Sequence, residues 1–268
     1  MYSVSLAGPA DFAGWRNGAR ALLAADIDPA TTIWLQPGDS AGLFPAEPVP
    51  PGSHPMPAVP RDFMDIAEAA SRHADPERFA LLHRLLWRAR REPGLLRTPT
   101  DRDMLRADAM ARAVRRDAHK MHAFLRFREI ETPAGAHSVA WFEPEHYILE
   151  AEAGFFIRRF ASLRWSILTP RISAHWDDGE LCFSPGARRQ DAPAGDDAED
   201  LWRTYFANIF NPARLKPDAM RAEMPKKYWH NLPEAEIIPE LMRAAEDRMR
   251  EMIERGASAP VARRQRRL

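Results

Sequence analysis

The sequence predicts an α+β fold, mainly helical, with a small mixed sheet and an N-terminal strand–helix–strand element. Three observations carry this reading. From Thr98 to about Glu131 apolar residues recur at helical spacing. Between Gly135 and Phe183 short runs of β-branched and aromatic residues alternate with turn signals. Residues 1–35 place two such runs on either side of a helical pattern. The chain has 268 residues, 45% hydrophobic and 28% charged, enough for a real core and unlike a disordered chain.

The elements follow in order. Tyr2 to Leu6 alternates like a short strand, Gly8-Pro9 opens a helix through Trp15 and Leu22-Leu23, and Thr31 to Leu35 reads as a second strand, parallel to the first. Residues 36–60 hold Pro37, Pro45, Pro48, Pro50, Pro51, Pro55, Pro57 and Pro60, a density that forbids helix and predicts an extended, exposed connector. Helices are expected from Arg61 to Arg72 and after Pro76, the latter with Phe79, Leu82 and Leu86 on one face beside Trp87. The long helix starts with Thr98 as N-cap and Pro99 in the first turn. Asp101 and Asp103 favour its positive end, and Thr132-Pro133 stops it. A strand from His137 to Phe142 and a helix from Pro144 to Ala161 follow. Strands at Arg164 to Leu168, Ile172 to Trp176 and Leu181 to Phe183 come next, with Asp178-Gly179 as a hairpin turn. Residues 185–200 read as an acidic loop, Leu201 to Phe210 as an aromatic helix, and Pro239 to Arg255 as a last amphipathic helix before a basic tail. The expected organisation is an N-terminal α/β element (1–35), the proline-rich connector (36–60), a main domain (61–255) and a tail or linker start (256–268).

Charge and cysteine exclude several functions. Lys+Arg and Asp+Glu both total 38, so binding of a polyanion by bulk charge is excluded and any such binding needs a local patch. The single cysteine, Cys182, excludes an intramolecular disulfide, a cysteine-based zinc site and an iron–sulfur cluster. No apolar run approaches the ~18 residues of a membrane span, and the start lacks a signal-peptide pattern, so a cytoplasmic location without membrane partner is expected. Arginine supplies nearly all cations, which a GC-rich genome explains without any function.

The long helix carries the sharpest local feature. Ala107, Met110, Val114, Ala118, Met121 and Leu125 make an apolar stripe, and one residue further on Arg115, His119, His122 and Arg126 make a second line. Three readings stand. The line contacts phosphates, or its members bond carboxylates and carbonyls within the fold, or His119 and His122 bind a metal completed by His146 or His175. Arg158, Arg159, Arg171, Lys226 and Lys227 extend the set as a basic groove, with Trp165 or Trp229 available to stack on bases or to pack in the core. Glu129, Glu143, Glu145, Glu150 and Asp177 are carboxylates without a spacing that forces a common site. No metal and no cofactor is assigned, and Cys182 reads as a strand residue rather than a nucleophile.

At His119 a resemblance enters. The run Asp117-Ala118-His119-Lys120-Met121-His122-Ala123-Phe124-Leu125-Arg126-Phe127-Arg128-Glu129 resembles the signature of a bacterial family of DNA-metabolism proteins, otherwise named only as a domain of unknown function. Trp141-Phe142-Glu143-Pro144-Glu145-His146-Tyr147-Ile148-Leu149, Phe155-Phe156-Ile157-Arg158-Arg159-Phe160, Trp165-Ser166-Ile167-Leu168-Thr169-Pro170-Arg171, Leu201-Trp202-Arg203-Thr204-Tyr205-Phe206 and Met224-Pro225-Lys226-Lys227-Tyr228-Trp229 agree in order, and Leu6-Ala7-Gly8-Pro9 with Trp15-Arg16 is similar too. The resemblance covers most of residues 80–245. It implies a DNA-repair setting beside a radical-SAM protein or, in a subgroup, N-terminal to a uracil-DNA glycosylase domain. The glycosylase part has no counterpart here, so its activity is not carried over. A small sheet is expected near each half of the matching region, and the N-terminal piece is a candidate to join it. The leading expectation is a DNA-repair-associated module binding DNA through its Arg/His patch. The alternatives are a metal-assisted phosphodiester or modified-nucleotide hydrolase and a protein-binding adaptor.

Overall fold

The computed structural model describes residues 1–39, 47, 49–132 and 135–193, together with 228, 229, 239, 240, 243 and 247. Among these the α+β fold is as expected. Strands β1 (Tyr2–Ser5) and β2 (Thr32–Leu35) flank helix α1 (Phe12–Ala24) and pair in parallel. Asp11 caps α1 by accepting from the Gly14 N–H. No helix or strand forms across 49–60, as the prolines dictate. Helices α2 (Arg61–Ser71), α3 (Arg78–Ala89) and α4 (Arg102–Phe124) follow. Then come β3 (Phe127–Thr132), β4 (Gly135–Trp141), α5 (Leu149–Arg159), β5 (Trp165–Leu168), β6 (Ile172–Asp177) and β7 (Glu180–Pro185). The aromatic helix at 201–210 lies outside the described residues, as do Lys226, Lys227 and most of the last helix.

One mixed sheet, ordered β3-β4-β5-β6-β7, replaces the two expected near the halves of the matching region. Only β4 and β5 run parallel, because α5 connects them as a crossover, whereas the other neighbours are hairpin-like and antiparallel. The β1–β2 pair stays a separate sheet. The β6–β7 hairpin turns at Asp178 and Gly179, whose φ of 47° and 82° are the left-handed values a two-residue turn requires.

Helix α4 joins two cores. Its first half sends Met104, Ala107, Met110 and Ala111 into a cluster with Leu6, Trp15, Phe63, Phe79 and Leu82. Its second half sends Val114 and Met121, with Leu125, into a cluster with Phe156, Trp165, Ile167 and Tyr228. The apolar stripe is therefore real, and the N-terminal element shares the first core with α2, α3 and α4.

Several boundaries differ from expectation, most of all on α4 and α5. The N-cap of α4 is Asp101, not Thr98: its carboxylate accepts from the N–H groups of Asp103 and Met104. The helix ends at Phe124 rather than Glu131, since Leu125 is extended and Phe127–Thr132 gains a full ladder to β4. Helix α5 starts at Leu149 rather than Pro144, because the His146 N–H is bound by the Asp117 carboxylate and the Tyr147 N–H by the Arg72 carbonyl.

Asp101 also faces Arg88, whose guanidinium holds the Asp101 carboxyl below the usual carboxylate range. Asp101→Ala should therefore lower folding stability by about 1–2 kcal/mol, the loss of a strong N-cap. The urea midpoint at unchanged slope reads this, and Thr98→Ala should cost less.

Candidate nucleic-acid interface

The line on α4 is only partly turned to solvent. Arg115 is exposed and donates to the Asp65 carbonyl of α2 at 3.3 Å. His119 is exposed. His122 is half-buried: its ring stacks on Phe155 at 3.8 Å, and Nε2 lies 2.8 Å from Glu152 Oε2. Arg126 lies past the helix end and donates to the carbonyls of Ala123 at 2.8 Å and Leu125 at 3.2 Å. Thus spacing aligned the four, but α5 engages His122 and the α4 C-terminus engages Arg126. Arg158 and Arg159 are exposed at the end of α5, Arg159 over the Phe160 ring at 5.6 Å. Trp229 is half-buried, Trp165 is fully buried in the second core, and Glu129 lies on β3 rather than on the helix.

Arg171 belongs to a different neighbourhood. It follows β5, is exposed, donates to the Glu145 carbonyl at 3.1 Å and lies over the Tyr147 ring at 4.7 Å. A second guanidinium, Arg78, lies 5.1 Å from the same ring. Arg78 is 1% exposed and donates to the carbonyls of Ser71, Asp75 and Pro9. Among the described residues neither arginine forms an ion pair, whereas Arg72, Arg84, Arg88, Arg90, Arg106, Arg112 and Arg164 all do. A cleft of about 460 Å³ opens here, lined among others by Gly8, Pro9, Tyr147, Glu150, Arg171 and Phe183. A second hollow of about 290 Å³ shares Pro144 and Arg171 and reaches Tyr228. Tyr228 is anchored there by stacking on Phe142 at 5.2 Å and by donating to Asp117 at 3.3 Å. The α5 N-terminus, which has no side-chain cap, borders the larger cleft, and its first turn carries the acidic Glu150 and Glu152.

Sequence reasoning missed Arg78 and Tyr147 as site residues. Arg78 sits in an apolar helical pattern, where an arginine facing inward gives no periodic signal. A polar row across the sheet was missed too. His137 Nε2 lies 2.8 Å from Ser166 Oγ, which lies 2.7 Å from His175 Nδ1, and His175 Nε2 lies 2.8 Å from Ser184 Oγ. Ser166 stands between the core residues Trp165 and Ile167, so the pleat turns this row to the opposite face. Burial holds both imidazoles below the usual histidine range. The signal was alternation: His137, Ser166 and His175 each interrupt an apolar strand at period two.

Among the described residues no group of three or more His, Cys, Asp and Glu is arranged to hold a metal ion. His175 belongs to the sheet row, and the His146 ring lies 4.3 Å from that of His73, tilted by 31°. Cys182 is on β7 as expected, but exposed. No described helix is long and apolar enough to cross a membrane.

A family described as a domain of unknown function, DUF4130, matches residues 76–234, more than half of the chain. No curated protein and no solved structure matches it.

Proposed function

We propose that this chain, which belongs to the DUF4130 family, is a DNA-repair-associated module that binds nucleic acid through a local patch of arginines. The observation that carries this reading is Arg171: an exposed guanidinium beside Tyr147, with the second cation Arg78 nearby and, among the described residues, no ion pair on either. In a chain of zero net charge, such a site attracts a phosphate locally without indiscriminate binding. Arg115, His119, Arg158 and Arg159 are exposed and offer further contacts along a strand. His122 and Arg126 hold the α4–α5 packing and the helix end, and contribute by positioning. Trp229, which is half-buried, and Lys226 and Lys227, which lie outside the described residues, stay candidates for further contacts on sequence grounds. The repair setting, and action beside a uracil-DNA glycosylase domain or a radical-SAM protein, are supported by the resemblance of the ordered segments.

Fluorescence anisotropy with labelled oligonucleotides over a salt series tests this. Affinity should fall steeply with salt, and Arg171→Ala should weaken binding and lower the log–log slope by about 0.7 for a single strand, one phosphate contact's share. Absence of binding at low salt, or a salt-independent affinity, overturns it. Retention of a repair partner without oligonucleotide binding would make the protein an adaptor instead.

A further inference from the structure

We infer that the cleft beside Arg171 admits one unpaired nucleobase, with the strand's phosphate held at the rim by the guanidinium. This inference rests on the nucleic-acid reading above and specifies which part of the ligand enters the protein. The cleft, about 460 Å³, has the size of a small-ligand site and is far from the groove a duplex would need. Its walls are chiefly apolar, from Pro9, Tyr147, Ile172, Phe183 and Pro185. A phosphate gains nothing from such walls, and a sugar gains less than a planar base, which can stack on an aromatic ring with its whole face.

Phe183 is the second observation. It is 40% exposed, although its register partner on β6, Ala174, is fully buried. An aromatic ring left open on the wall of a cleft that Arg171 also lines is a stacking platform. Polar groups are few and divided by sign. Arg171 supplies a donor for phosphate oxygen, and Glu150, which also lines the cleft, offers an acceptor to the N–H groups of a base edge. Bases stacked inside a duplex cannot enter such a hollow, but an unpaired or extruded base can. The expected ligand is therefore a single strand, or a duplex with a displaced base, in preference to intact duplex.

The experiment compares the full chain on three labelled ligands of equal length: an oligothymidine, an abasic strand of the same phosphate count and a blunt duplex. The oligothymidine should bind about 10-fold tighter than the abasic strand, the scale of one stacking contact. Phe183→Ala should remove that ratio while leaving abasic affinity unchanged, which also shows that the variant is folded. Phe183→Leu, which keeps an apolar side chain but no ring, should lose most of it. Arg171→Ala should weaken both strands alike. Equal affinity for base-bearing and abasic strands, or a ratio insensitive to Phe183→Ala, overturns the base pocket and leaves the phosphate contact standing. Failure of both strands to bind overturns the two readings together.

Discussion

Arg78→Met should destabilise the protein by roughly 3–5 kcal/mol, from lost charge-assisted hydrogen bonds and the carbonyls left bare behind them. The guanidinium is buried and satisfies carbonyls from three places: Pro9 ahead of α1, Ser71 at the end of α2 and Asp75 in the turn before α3. It also lies 4.4 Å from the Phe79 ring and 5.1 Å from Tyr147. Burial pulls its pKa below the ordinary arginine value, yet it remains charged at neutral pH. Arg78→Lys should not rescue, since a single ammonium cannot span carbonyls that a planar fork reaches at once. Urea unfolding of both variants reads the cost, and a loss under about 1 kcal/mol would show that water replaces the guanidinium. Because Pro9 and Tyr147 line the cleft, Arg78→Met should also reduce oligonucleotide affinity at temperatures where it stays folded.

Acidification should be the second large effect, with His83 as its main internal cause. His83 is fully buried beside the first core, both ring nitrogens lack a hydrogen-bond partner among the described residues, and its ring meets Trp34 edge-on at 5.8 Å. Desolvation lowers its pKa to about 4, from 6.5 in an unfolded chain. The unfolded state therefore takes up the proton first. The contribution of the neutral ring to stability is complete above pH 6.5, declines as pH falls, and is lost through pH 4, about 3 kcal/mol between the limits. His73, His137 and His175, also lowered by burial, act in the same direction. His83→Leu removes an unsatisfied polar ring from an apolar setting, so it should leave stability at pH 7.5 unchanged or higher and flatten the decline from pH 6.5 to 4. Urea midpoints at pH 7.5, 5.5 and 4.5 measure this, and an equally steep decline in the variant would place the acid sensitivity elsewhere.

Much of the fold was legible because local rules sufficed. The α4 stripe, the Asp178-Gly179 hairpin and the parallel β1–β2 pair each follow from periodicity or turn chemistry within one short segment. The end of α4 was not legible. Phe127–Thr132 carries enough apolar residues to continue a helix, and its strand character depends on pairing with β4. The start of α5 failed for a similar reason. Pro144 suits a first turn, but the Asp117 carboxylate binds the His146 N–H from another helix and holds that segment irregular.

The candidate site divides in the same way. Exposure of Arg115, His119, Arg158, Arg159 and Arg171 agrees with their polar positions, but the engagement of His122 with Phe155 and Glu152 depends on where α5 packs. Tyr147, Arg78 and Phe183 come from a loop, a helix and an edge strand far apart in the chain.

The amino-acid order alone determined most of the helices and strands, the strand Phe127–Thr132 excepted, because turn residues and apolar period act over a few neighbours. It also determined that any anion site must be local, because positive and negative charges cancel over the whole chain. Only the folded arrangement decided which arginines are neutralised and which are not. A guanidinium reaches a carboxylate or a carbonyl across several ångströms of space, and that distance is set by packing between elements rather than by separation along the chain.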